Sequence, residues 1–417
     1  MIALVSCNKV TGKLSAISSK SVAHRLLIGA AFCDKKTQIR CDKVNNDILA
    51  TAECLRAIGA EIEYENGVFT IAPIKEKVSE VLECNESGTT MRLLLPVVCA
   101  LGGSWRFIMR GRLAGRPISP LKDELEAHGI KFEYLTADEL LVNGKLECGE
   151  YSIRGDVSSQ FISGLLFALS LLKGESRLTV TGQIESAPYI QMTLDVLISL
   201  GANISKNGNV FTIKGTQLVS PDTVCVEGDW SNAAFPLCAA AIGGTVTLRN
   251  IDPASSQGDT KILDILKQFG AEVTVHGNSV TVSHKELHGI KIDASNIPDL
   301  VPVLAVVATA SDGETQIFGA SRLRIKESDR LQTTYNMLHS LGADIVLTDD
   351  GFIIKGKKNL SGGVVSSHND HRIAMSAAVA SVLCQNSVTV EGAEAVEKSY
   401  PDFWQDFKKI GFNIDLK

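Results

Sequence analysis

The stretch Leu55-Arg56-Ala57-Ile58-Gly59-Ala60-Glu61-Ile62 decides the fold, because it carries a helix end, a glycine stop and the first residues of an alternating strand in one short run. The same unit can be read at Gly129, Gly201, Gly270, Gly342 and Gly411. Successive glycines are 70, 72, 69, 72 and 69 residues apart, and a fixed period of this kind is the signature of an internal repeat. Six repeats of about seventy residues imply two domains of three repeats each.

Working outward from each glycine gives the rest of the unit. The glycine follows the last apolar helical position (Ile58, Leu200, Phe269, Leu341, Ile410), where a C′ residue has to take a positive φ. After Gly59, the alternation Glu61-Ile62-Glu63-Tyr64-Glu65, the pair Asn66-Gly67 and the run Val68-Phe69-Thr70-Ile71 predict a hairpin with a type I′ turn. Asn207-Gly208 and His276-Gly277 repeat that turn signal. A second helix precedes each unit and is small and apolar on all sides, as in Leu93 to Ala100, Phe161 to Leu172, Ala233 to Ile242, Leu300 to Ala310 and Ile373 to Leu383, so it is expected to be buried. Its starts recur at Ser19, Thr89, Ser159, Ser231, Pro298 and Asp370, where Ser, Thr and Asp are good N-caps.

The last repeat ends at Asn413-Ile414-Asp415-Leu416-Lys417 without a return strand, so another segment has to pair with it. Ile2 to Ser6 is the candidate; the alternative is an edge strand in the first domain. With the first choice, residues 14–225 form an N-terminal three-repeat domain, and residues 1–13 with 226–417 form a C-terminal one.

Composition agrees with two globular domains: 417 residues, 45% hydrophobic and 21% charged, exceed what one core usually serves. A net charge of −6 provides no basic field, so neither nucleic acid nor an anionic membrane is an expected partner. Ten cysteines without a Cys-x-x-Cys pair read as reduced thiols in a cytoplasmic protein, with no metal site. The opening run Met1 to Cys7 lacks a basic region and reads as a strand, not a signal peptide. The most apolar stretch, Ile297 to Ala310, contains Asp299 and falls short of the roughly 20 apolar residues of a spanning helix.

A helix that begins with Ser, Thr or Gly offers free N–H groups and the positive end of its dipole to an anion. Here such starts keep basic company. Ser19-Lys20-Ser21 is followed by Arg25, and Gly88-Thr89-Thr90-Met91-Arg92 repeats that arrangement. Arg106, Arg110, Arg112 and Arg116 crowd one segment, and Arg322, Arg324, Lys326 and Arg330 another. Arginine placed this way suits bidentate binding of phosphate or carboxylate; a solvated charged face is the other reading of each cluster. Asp299, ahead of an apolar run, is either an N-cap or a functional base. Glu327, three residues from Arg330, is either half of a helix-surface ion pair or a proton-transfer group. His368-Asn369-Asp370-His371-Arg372 has no third ligand at zinc-like spacing, so metal binding is not expected there.

Taken together, the blocks Ser19-Lys20-Ser21, Ser158-Ser159-Gln160 and Lys326-Glu327-Ser328-Asp329-Arg330 resemble, in order and spacing, the 5-enolpyruvylshikimate-3-phosphate (EPSP) synthase family. The likeness runs from about Ser18 to Lys398. It implies an α/β fold, the enolpyruvyl transferase fold or inside-out α/β barrel, with three βαβαββ units in each of two domains that close over the substrates. It also implies transfer of the enolpyruvyl group of phosphoenolpyruvate to the 5-hydroxyl of shikimate 3-phosphate. By motif, Lys20, Ser21, Arg25, Ser158, Ser159, Gln160, Ser186, Tyr189, Asp299 and Lys326 would hold shikimate 3-phosphate. Lys20, Gly88, Arg116, Gln160, Arg330, Arg372 and Lys398 would hold phosphoenolpyruvate. Asp299 and Glu327 would move the protons, with Lys20 assisting. No cofactor is implied, and a monomer is expected.

The sequence departs from the commonest family pattern at Ser18, where Gly often stands, at Glu86, where Asn often stands, and at Leu93, where Pro is frequent. A related family that uses UDP-N-acetylglucosamine typically carries a reactive cysteine in the loop before its Arg-Pro; here Met109 to Pro117 contains none. A repeat-built binding scaffold would account for the six units but not for Lys20, Asp299, Glu327 and Lys398 together.

Overall fold

Each of the six glycines that punctuate the repeats takes a positive φ, between 82° at Gly201 and 124° at Gly59, and stops a helix ahead of a strand. This is seen in a computed structural model that describes residues 1–417. The strands assemble into six four-stranded sheets with one order of pairing: two parallel strands, then a third antiparallel to the second, and a fourth antiparallel to the third. In one of them Val81–Asn85 runs parallel to Gly103–Met109, which pairs antiparallel with Glu139–Gly144, whose outer neighbour is Lys131–Thr136.

Contacts divide the chain into two compact units, Ser18–Val226, and Met1–Ile17 with Glu227–Lys417. Within the second unit, Ile2–Cys7 lies between Phe412–Leu416 and Val388–Glu391, antiparallel to both, and closes the last sheet. Val10–Ser15 stays in the same unit, parallel to Gly244–Arg249. The first crossing therefore falls after Ile17 and not after residue 13. The ladder keeps the chain there through Ser15, whose Oγ also accepts from Asn250 Nδ2 at 2.7 Å. The return crossing falls after Val226, one residue beyond the expected position. The first sheet of the Ser18–Val226 unit has lost its own leading strand to this arrangement, and Thr223–Cys225 from the end of the unit replaces it beside Thr37–Arg40.

The buried helices are Lys20–Ala31, Gly88–Leu101, Ser159–Leu171, Trp230–Gly243, Val301–Ala310 and His371–Ala380. Their caps differ from the expected ones in several places. Ser87, Ser158 and Asp229 cap, rather than Thr89, Ser159 and Ser231, because their side-chain oxygens sit where they accept the first free N–H groups, from Thr90, Gln160 and Asn232. Two hairpin turns also shift. Asn66-Gly67 has φ of 50° and 79°, the type I′ pattern, whereas the other two turns pivot on Gly208 and Gly277 alone, with φ of 57° and 53°, and their central pairs are Gly208-Asn209 and Gly277-Asn278.

Candidate active site

In the Ser18–Val226 unit three buried helix starts carry candidate residues. Lys20 is the first residue of its helix, and its Nζ donates to Asp47 Oδ2 at 2.9 Å. Asp47 lies in the first turn of the neighbouring helix Asn46–Ile58. No motif pointed to it. At the second start, a Cβ on Gly88 would lie 2.7 Å from Arg116 Nη1, so only glycine lets that guanidinium rest against the helix end. At the third start, Gln160 links two of the expected groups: its Oε1 accepts from Arg92 Nη1 at 3.2 Å and its Nε2 donates to Thr89 Oγ1 at 2.8 Å.

Arg25 lies on the same helix as Lys20. It is 1% exposed, and its guanidinium donates to Thr193 Oγ1 (2.7 Å), the Ser21 carbonyl (2.7 Å) and the Tyr189 carbonyl (2.9 Å). Arg25 thereby fixes the backbone of two other expected binding residues. Burial pulls its pKa down to about 10, so it stays charged at neutral pH. Ser186 occupies the N-cap position of the helix Ala187–Ser199 in the left-handed region, φ 54°, a strained placement for a residue with a side chain.

The arginine clusters separate into two kinds. Arg106 pairs with the half-buried Glu139, and the exposed Arg110 lies near Glu83 and Asp138. Arg322 donates to the Ser295 carbonyl, while Arg324 pairs with Asp329 and meets the carbonyls of Thr348 and Asp349. These are scaffold contacts. Lys326 and Arg330 from the second segment, and Arg116 from the first, are the members that stand among other candidate site residues.

In the second unit the groups converge on Arg330, which opens the helix Arg330–Ser340 and is 1% exposed. Its Nε donates to Asp370 Oδ2 (2.8 Å), its Nη1 to Asp299 Oδ1 (2.9 Å) and its Nη2 to Glu327 Oε2 (2.8 Å). Arg372 supplies a second guanidinium to Asp299. Asp299 is not an N-cap: it sits inside the short turn Pro298–Leu300, whose N-cap is Ile297, and Leu300 occupies the N-cap of the helix that follows. Three carboxylates, Asp299, Glu327 and Asp370, thus face three cations, Lys326, Arg330 and Arg372. Burial alone would raise the Asp299 pKa, but Arg372, Lys326 and Arg330 outweigh it and hold the carboxyl far below its ordinary range. Burial brings the Lys326 ammonium down to about 8 against the pull of Asp299 and Glu327. Behind this group Asp259, 2% exposed, accepts from Ser231 Oγ, and burial together with Asp299 pushes it up to about 7. Lys398 donates to the Asn369 carbonyl at 2.8 Å, where His368 and Asn369 both take positive φ ahead of the helix His371–Ala380. Sequence reading missed Asp259, because an acid deep in a core carries no local signal.

Six βαβαββ sheets in two units, with cationic helix starts in both, define an enolpyruvyl transferase fold. The comparisons with known proteins narrow the class. The profile of the family EPSP synthase (3-phosphoshikimate 1-carboxyvinyltransferase) matches residues 5–407, and the chain belongs to that family. It is 42% identical over 414 residues to a 3-phosphoshikimate 1-carboxyvinyltransferase of Clostridium perfringens, covering 98% of both chains. An EPSP synthase structure from Acinetobacter baumannii superimposes with a TM-score of 0.84 at 28% identity, covering 100% of both chains. The enolpyruvyl transferase NikO from Streptomyces tendae shares the fold, with a TM-score of 0.78 at 18% identity over 99% of this chain and 98% of that one. No helix of the structure is long and apolar enough to cross a membrane.

Proposed function

We propose that the chain catalyses its family's reaction, transfer of the enolpyruvyl group of phosphoenolpyruvate to the 5-hydroxyl of shikimate 3-phosphate with release of phosphate, through the residues assembled in its two units. Lys20, Ser21, Arg25, Ser158, Ser159, Gln160, Ser186, Tyr189, Asp299 and Lys326 hold shikimate 3-phosphate, and Arg25 also holds the Ser21 and Tyr189 carbonyls. Lys20, the Gly88 helix start, Arg116, Gln160, Arg330, Arg372 and Lys398 hold phosphoenolpyruvate. Fixed cations of this kind act on charge that develops as the phosphate departs.

The observation that carries the proton-transfer assignment is the double grip of Arg330 and Arg372 on Asp299. While both guanidiniums face it, Asp299 is a weak base. An anionic substrate that takes over part of their charge raises its proton affinity, so Asp299 becomes able to accept the 5-hydroxyl proton once phosphoenolpyruvate is in place. Glu327, held by the same Arg330, is the group assigned to protonate C3, and Lys20 assists. Small-molecule substrates and ten free thiols fit a cytoplasmic enzyme, and six sheets closed by the chain's own strands fit a monomer. The deciding assay is inorganic phosphate release from phosphoenolpyruvate with shikimate 3-phosphate or UDP-N-acetylglucosamine as acceptor. Release with the first alone is the expected result; release with the second alone would overturn the reading.

A further inference from the structure

One buried polar chain in the Ser18–Val226 unit is not used by any step above. His24 lies one turn beyond Lys20 on the same helix, and its ring is fully buried. His24 Nδ1 meets Thr51 Oγ1 at 2.6 Å, Thr51 Oγ1 meets Thr90 Oγ1 at 2.7 Å, and Thr90 Oγ1 donates to Ser87 Oγ at 2.7 Å. Ser87 is the N-cap of the helix Gly88–Leu101, and its Oγ also accepts from the Thr90 N–H at 3.2 Å. The chain joins three helices and ends at the helix start that Arg116 touches. All three hydroxyl residues have no exposed surface.

A row of hydroxyls has a sense, because each oxygen that accepts one proton passes on its own. Ser87 Oγ accepts from the Thr90 amide and, at 2.7 Å, from its hydroxyl, which lies 3.4 Å from its other acceptor, the Asp47 carbonyl; with its proton given to either, the Thr90 oxygen is left to accept from Thr51. Thr51 in turn has to accept from an Nδ1–H on His24. The ring stays neutral, since burial and the nearby charges of Lys20 and Arg25 lower its pKa well below the ordinary value. It therefore has one N–H, which goes to Thr51. The other nitrogen, Nε2, is buried without a hydrogen-bond partner. A leucine would fill this space without leaving a bare nitrogen, and buried polar atoms without partners call for an explanation beyond packing.

We propose that His24 is a positioning residue whose single ring N–H sets the direction of the Thr51–Thr90–Ser87 chain and so fixes the N-cap and the anion-binding amides of the Gly88 helix start. The inference rests on the assignment of that start to phosphoenolpyruvate. It separates His24 from Lys20, which is assigned to touch substrate directly.

The test is steady-state kinetics on His24→Leu, His24→Asn and Thr51→Val, with phosphoenolpyruvate and shikimate 3-phosphate varied in turn. Loss of a cap is worth about a fivefold change in an equilibrium, so His24→Leu and Thr51→Val are each expected to raise KM for phosphoenolpyruvate about fivefold. KM for shikimate 3-phosphate should stay within about twofold. His24→Asn carries an amide N–H at the position of Nδ1 and should return KM to near the wild-type value. A merely structural histidine would lower the melting temperature and move both KM values together, or neither, and would gain nothing from asparagine; any of these results overturns the proposal. If His24→Leu does not fold, Thr51→Val decides alone, since it keeps the shape of the side chain and breaks the same chain. A wild-type enzyme that fails to turn over phosphoenolpyruvate would overturn the assignment of the site instead.

Discussion

Arg372 grips Asp299 at two points: Nη2 donates to the carboxylate Oδ2 at 2.9 Å and Nη1 to the backbone carbonyl at 3.2 Å. The contact fixes both the side chain and the turn that carries it. A helix start at His371 and a short turn at Pro298 are thereby locked together 73 residues apart in sequence.

Asp299→Ala is expected to lower kcat by about 10²–10⁴-fold, the usual contribution of a positioned acid or base. KM for shikimate 3-phosphate should change far less, since binding is assigned chiefly to Arg and Ser groups. The variant also leaves two buried guanidiniums short of an anion, so its melting temperature should fall. Asp299→Asn, which keeps an oxygen toward the arginines, should recover part of the stability and none of the rate. Near-wild-type turnover in Asp299→Ala would remove the residue from the mechanism.

Glu327→Gln keeps the shape beside Arg330 and removes the ionisable group. Its Oε1 can still accept from Arg330, whose bond to Glu327 is 2.8 Å. Exchange of solvent deuterium into the C3 methylene of phosphoenolpyruvate should then be suppressed together with turnover. A Glu327 that serves only as an ion-pair partner would show the opposite pattern, a lower melting temperature with exchange per folded molecule intact.

Gly88→Ala places a methyl group 2.7 Å from Arg116 Nη1, closer than a carbon and a nitrogen approach. The guanidinium end is flexible and should swing away, so the fold survives while the anion site loses a cation. KM for phosphoenolpyruvate should rise by at least about tenfold, the effect of roughly 1.4 kcal/mol, with the melting temperature almost unchanged. An unaltered KM would show that Arg116 does not act through this helix start.

The repeats were legible in the sequence because glycine at a C′ position is local chemistry: Gly59 and its five counterparts mark helix ends whatever lies around them. Lys20 and Arg330 were legible because basic residues gathered beside Ser are a short-range pattern, and Arg372 only through the family resemblance. The partners of those cations were not. Asp47 reaches Lys20 across 27 residues and Asp370 reaches Arg330 across 40, and such pairings exist only once the sheets bring their repeats together. The clusters around Arg110 and Arg324 misled for the same reason, since sequence cannot tell a guanidinium aimed at a surface acid from one held at a helix end. Arg25 carries the family's motif, but its hold on the carbonyls of Ser21 and Tyr189 exists only in the folded chain.

Asp259 yields the last prediction, and its sign follows from the direction of its shift. Burial, with Asp299 adding to it, raises its pKa to about 7 in the folded protein, whereas an aspartate in the unfolded chain titrates near 3.9. A group raised on folding contributes most to stability below its unfolded pKa and loses that contribution as pH rises through the folded value. Wild-type stability should therefore decline from about pH 4 to about pH 7 relative to Asp259→Asn, and the difference should be constant above that. Asparagine keeps an oxygen for the Ser231 hydroxyl and carries no charge at any pH. The gap is expected to reach a few kcal/mol, since a shift of one unit corresponds to about 1.4 kcal/mol. Urea unfolding of both proteins at closely spaced pH values between about 4 and 9 measures it directly. Parallel stability curves over that range would mean that Asp259 is already ionised in the acid range, stabilised by Arg372 beyond the opposing effects of burial and Asp299.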